Sequence, residues 1–131
     1  MKETGYGISK KLSISYDEAE KKVREKLKEQ GFGVLTEIDV KRTVKEKLNA
    51  DFRRYVILGA CNPPFAHQAL SLETEIGLMM PCNVIVYEPD DGGSVVAAID
   101  PAKAMGAVKN DALRPLAASV RAKLVAVINA M

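Results

Sequence analysis

From Tyr6 to Ile14 apolar and polar positions alternate: Tyr6, Ile8, Leu12 and Ile14 share one face, interrupted by Lys10, while Gly7, Ser9, Lys11 and Ser13 share the other. A period of two predicts a half-buried first strand. The period then changes. Tyr16, Ala19, Val23 and Leu27 recur at helical spacing, behind Ser15 and Glu18 placed as a capping box and ahead of Gly31, which predicts a helix over 16–30. Residues 32–38, FGVLTEI, predict a second strand, after which Asp39 caps a short amphipathic helix with Val40, Val44 and Leu48 on its inner face. The run RYVILGAC from Arg54 to Cys61 is almost continuously apolar, the mark of a strand that is covered on both faces or central in its sheet. Asn62 as N-cap, Pro63 at the first helical position and Gly77 as a stop predict a helix over 63–75. Two strands, 82–88 and 94–99, flank the turn residues PDDGG and form an antiparallel hairpin. From 111 to 130, Leu113, Leu116, Ala117, Val120, Leu124, Val127 and Ile128 make an apolar helical stripe, with Pro115 confined to the first turn. That stripe packs on a sheet or on a partner subunit.

These elements define an α+β class, a two-layer single domain over 1–131 with a mainly antiparallel sheet of about five strands and helices packed largely on one face. Composition agrees: 131 residues, 47% apolar and 27% charged, sustain one core burying roughly two-thirds of the unfolded surface. A net charge of +2 and 5% aromatic residues argue against nucleic acid as a partner. No apolar run is long enough to span a membrane and residues 1–15 lack the apolar core of a signal peptide, so the expectation is no membrane association and a cytoplasmic location. The basic residues of 41–54 are interspersed with Glu46 and Asp51, which reads as a solvated face.

Both cysteines and the single histidine fall within residues 60–83, ACNPPFAHQALSLETEIGLMMPCN. Cys61 ends a strand just before a helix N-terminus, where free N–H groups and the helix dipole favour a thiolate. His67, about a turn and a half further on, is placed as its base or as a co-ligand, which makes Cys61 and His67 the catalytic candidates. Cys61, His67 and Cys82 are the candidate metal set, for a divalent ion such as zinc, although their spacing matches no common zinc signature. Cys61, Asn62, His67, Cys82 and Asn83 are the candidate ligand-binding set, an Asn beside each thiol either donating to it or capping a chain reversal. The competing reading makes the whole segment a packing corner, with Cys61 a small buried residue and Leu78, Met79 and Met80 plugging the core or an interface. Geometry separates the two. Parallel flanking strands would put the thiols at opposite ends of the sheet, whereas antiparallel ones let them approach.

The pattern Gly59-Ala60-Cys61-Asn62-Pro63, then Ala66 and Leu70, Glu75-Ile76-Gly77, and Pro81-Cys82-Asn83 followed by Val84 and Val86, resembles a widespread family of prokaryotic proteins known as domain of unknown function 302. The resemblance implies a compact α+β fold of an antiparallel sheet with helices, assembling as a homodimer, and brings no established reaction. Two functions are therefore expected to compete: a thiol-based small-ligand or metal site around Cys61, His67 and Cys82, and a non-catalytic homodimeric interaction module whose last helix supplies the interface.

Overall fold

A computed structural model describes all of residues 1–131. Six strands form one antiparallel sheet: β1 (Lys2–Glu3), β2 (Gly7–Leu12), β3 (Gly33–Asp39), β4 (Tyr55–Cys61), β5 (Cys82–Tyr87) and β6 (Ser94–Ile99), in the order β1-β2-β6-β5-β4-β3. The strand beyond the expected five is β1, whose two residues are too short to show a period. Five helices complete the chain: α1 (Tyr16–Glu29), α2 (Val40–Leu48), α3 (Pro63–Leu72), the short α4 (Pro101–Ala104) and α5 (Leu113–Asn129).

Pairing fixes which side of the sheet each residue faces, because directly opposed residues share a face. Ile8 opposes Ala98, Val86 opposes both Val56 and Val96, and all of these are buried beneath α1 and α5. Lys10, the interruption in the first strand's inward face, opposes Val96, and its ammonium reaches the end of α5 to donate to the Asn129 carbonyl at 3.4 Å. Ala19, Val23 and Leu27 of α1 and Leu124, Val127 and Ile128 of α5 close the core. The C-terminal half of the α5 stripe thus packs on the chain's own sheet. Ser15 caps α1 by accepting from the Glu18 N–H at 3.2 Å, and the Tyr16 ring is covered by the Arg54 guanidinium 4.3 Å from its centroid. Burial, reinforced by Glu20 and Asp39, pushes the Tyr16 hydroxyl up to about 12.

The opposite face of the sheet carries no helix. Ile57, Ile85, Tyr87, Val95, Ala97 and Ile99 lie there half-buried, with Tyr55 stacked on Tyr87 at 5.6 Å between ring centroids. The edge strand β3 is broken by a bulge between Val34 and Thr36, which leaves Leu35 exposed. The helix expected to bury Val40, Val44 and Leu48 does not do so: α2 buries no residue and Leu48 is 73% exposed. Only nine residues long, α2 joins β3 to its neighbour β4 over the end of the sheet, out of reach of the core. The charged residues around it pair locally, Arg42 with Glu46 at 3.7 Å and Lys45 with Asp51 at 3.6 Å.

The turn between β5 and β6 depends on Gly93, whose φ of +72° suits glycine and whose Cβ, if present, would strike the Leu12 carbonyl oxygen. After β6 the chain turns at Asp100, which is fully buried. Its carboxylate accepts from the Ala102 and Lys103 N–H groups at 3.0 and 3.3 Å and from Arg121 Nε at 2.9 Å. Arg121 continues to Glu3, so one guanidinium joins β1, the α4 turn and α5. Burial works against the Asp100 charge, but the Arg121 hydrogen bond, the two N–H donors and the Arg121 charge together outweigh it and hold the carboxyl below its ordinary range.

Candidate functional site

The antiparallel pairing of β4 with β5 places Ala60 opposite Cys82, so the strands flanking α3 bring the two cysteines to neighbouring positions at one end of the sheet. Pleating places them in alternate sets. Ala60 and Cys82 belong to the inward set with Leu58 and Val84, whereas Cys61 and Asn83 fall in the alternate set. Cys82 packs against the main core. Burial, with a smaller contribution from Cys61, pushes its thiol up to about 11, so it is protonated at neutral pH.

Cys61, Asn62 and Cys82 line one pocket, enclosed by the ends of β4 and β5, the inner side of α3, the first turns of α5 and the chain at Pro101 and Met105. Thirteen of its sixteen lining residues are hydrophobic, and the space open to a water-sized molecule is about 50 Å³. That is several times what one water needs, with almost nothing polar to hold it. Phe65, Ala66 and Ala69 of α3 face the pocket together with Leu116 and Val120 of α5, while Met80 and Met105 supply flexible thioether walls.

His67 and Asn83 are not part of this pocket. Helical geometry turns residue 67 about 100° past Ala66, away from the side shared by Phe65, Ala66 and Ala69, and His67 is exposed. Asn83 lies on the helix-free face of the sheet, in a shallow groove of about 390 Å³ shared with Tyr6 and Tyr87. The structure contains no group of three or more His, Cys, Asp or Glu side chains arranged to hold a metal ion. Cys61, His67 and Cys82 are therefore not gathered as a three-member set: both cysteines reach the same pocket, but the helix phase turns the imidazole outward.

Asn62 occupies the N-cap position of α3 with extended backbone, yet its side chain makes no cap hydrogen bond. Its Nδ2 donates instead to the Gln30 carbonyl at 3.2 Å, tying the pocket to the end of α1, where Gly31 leaves room for the amide. The α3 helix ends at Leu72, earlier than 75, and Gly77 lies within a separate 3₁₀ turn, Thr74–Met79, whose Ile76 is buried with Ala69 and Leu113. Of the residues read as a plug, Met80 packs beside this small cluster, whereas Leu78 is 88% exposed. The pocket's remaining walls, Phe65, Met105, Leu116 and Val120, were not separable in the sequence from ordinary core positions.

A two-layer α+β domain with an all-antiparallel sheet, bare on one face, and an apolar pocket at the end of its central strands is the class that fold and site define. Residues 8–131 match the family described as Domain of unknown function DUF302, and the chain belongs to that family. It is similar to the crystal structure of an uncharacterized conserved DUF302 protein from Bacillus stearothermophilus, with 30% identity, a TM-score of 0.87, and coverage of 94% of this chain and 95% of that one. No functionally curated protein matches the sequence.

Proposed function

We propose that this chain is a small-ligand-binding module whose site is the apolar pocket walled by Cys61, Asn62 and Cys82, and that it binds its ligand non-covalently. The observation that carries the reading is the pocket's lining: hydrophobic at thirteen of sixteen positions, with a protonated Cys82 and with the histidine outside. A thiolate-and-imidazole reaction finds little support, because the nearest base candidate faces solvent. The test is an NMR titration of the full chain with n-hexanol. Saturable shifts at Ala60, Ala69 and Val120, abolished in Ala66→Phe, support binding in the pocket. Shifts that do not saturate, or that survive the filled pocket, overturn it.

A second reading, self-association, is favoured by the bare face of the sheet. Five full strands about 4.8 Å apart, each about 20 Å long, give a flat footprint of roughly 500 Å². A standard interface buries about 800 Å² per partner, so flanking exposed side chains such as Tyr6 and Phe52 would have to contribute. We infer that a second copy covers this face, sheet against sheet. A dimer mass by light scattering that becomes monomeric in Ile57→Lys supports it, and a monomer at high concentration overturns it.

A further inference from the structure

We propose that the ligand of this pocket is an amphipathic anion, a short aliphatic carboxylate, with its chain in the apolar pocket and its head at Arg114; this rests on the binding reading above. A second cavity of about 370 Å³ lies against the first and shares three wall residues with it, Met105, Leu113 and Ala117. The two are adjoining chambers of different chemistry. The inner chamber has no charged residue, and the outer one has a single charged residue, Arg114, with no acid lining either. The stretch from Pro101 to Arg114, which forms much of the outer wall, carries Lys103, Lys109 and Arg114 against one acid, Asp111.

Arg114 is free to accept such a head. Its present partner is Asp111, three residues earlier, at 3.3 Å, and the two side chains are 83% and 91% exposed. An exposed pair of that kind is held weakly, whereas a carboxylate seated on a guanidinium fork makes two parallel charge-assisted hydrogen bonds. Asn110 is not available for the ligand. Its Nδ2 donates to the Leu72 carbonyl and to Glu73 Oε1, both at 3.1 Å, and its Oδ1 accepts from the Ala112 N–H, so it fastens the outer wall to the end of α3. The inner chamber's open space of about 50 Å³ is smaller than a five-carbon chain, so the chain enters only as Met80 and Met105, unbranched and flexible, repack to make room.

The experiment compares hexanoate with n-hexanol on the full chain at pH 7, by NMR titration, in the wild type and in Arg114→Gln. Hexanoate is expected to bind at least about 5-fold more tightly than hexanol, consistent with a charge-assisted pair. The advantage should shrink as salt is raised and vanish in R114Q, while hexanol affinity stays the same. Each methylene removed from the acid should weaken binding about fourfold. Equal affinity of acid and alcohol, or an acid preference that survives R114Q, overturns the anion assignment and leaves the pocket reading standing. Failure of both probes to shift Leu116 and Val120 overturns both.

Discussion

Replacing Asp100 with alanine should loosen the roof of the pocket and lower the stability of the whole domain. The fully buried carboxylate accepts from the Ala102 and Lys103 N–H groups and from Arg121 Nε, and Pro101 immediately after it is a pocket wall. Removal leaves two backbone donors at the start of α4 without their acceptor. Loss of an Asp cap costs about 0.5–2 kcal/mol, and a fully buried carboxylate that caps two N–H groups at once belongs at the upper end, so the expected loss is about 2 kcal/mol. Arg121 keeps Glu3 and is partly open to water, so it contributes little to that figure. For a domain of this size the melting temperature should fall by about 8 °C. Hydrogen exchange should rise most at Ala102, Lys103 and Ala104.

The pH dependence follows from the direction of the Asp100 shift. A carboxyl held below its ordinary value in the folded state contributes stability above the unfolded value of about 4 and loses it as pH falls through the folded one. Thermal melts of wild type and Asp100→Ala should therefore differ by a constant amount from pH 8 to about 5 and converge below about 4. Melts that coincide at pH 7, or a gap that stays full at pH 3, would refute the reasoning.

In Cys61→Ala, the remaining thiol of Cys82 should react with an aromatic disulfide reagent at pH 7 about 100-fold more slowly than in urea, because burial raises it from 9.0 to about 11; comparable rates would show that it is not buried as a neutral thiol. A raised thiol contributes stability below the unfolded value and loses it as pH rises through the folded one, so wild type should lose more stability than Cys82→Ala between pH 9.0 and about 11. Gly59→Ala would set a Cβ against Thr36 Oγ1 and 2.7 Å from Pro81 Cγ, costing about 2 kcal/mol in denaturant melts, part of it recovered by adding Thr36→Ala. His67→Ala should leave the melting temperature within about 2 °C and hexanol binding unchanged, since the ring is exposed and outside the pocket.

Much of this fold was legible because the pattern of burial and the pattern of sequence coincide. Ile8 and Leu12 point inward, Ser15 caps α1, and Pro115 sits in the first turn of α5. Reading failed where a local signal was answered by a distant partner. Asn62 has the identity and backbone of an N-cap, but its amide is claimed by Gln30 from across the domain. Val40, Val44 and Leu48 have the spacing of a buried stripe, but a nine-residue helix between adjacent strands has no core within reach. At the site, proximity in sequence suggested that Cys61, His67 and Cys82 converge. Antiparallel pairing, the unknown on which that depended, brings Cys82 opposite Ala60 and both cysteines to one pocket, yet helix phase, countable from the sequence, turns His67 away from it. Arg114 carried no signal, because its relation to the pocket depends on how the chain from Pro101 to Asn110 folds back over α5.

The bulge in β3 bears on how this protein behaves when crowded. An uninterrupted edge strand would offer its free N–H and C=O groups to any passing strand, and each addition would create a fresh edge, so growth could continue without limit. Here one edge is interrupted at Leu35 and the opposite one is only two residues long. Lateral growth has only short templates on either side, whereas a contact between bare sheet faces uses up the surface that made it and stops at two molecules. An apolar face can then stay open on a single chain without seeding fibres.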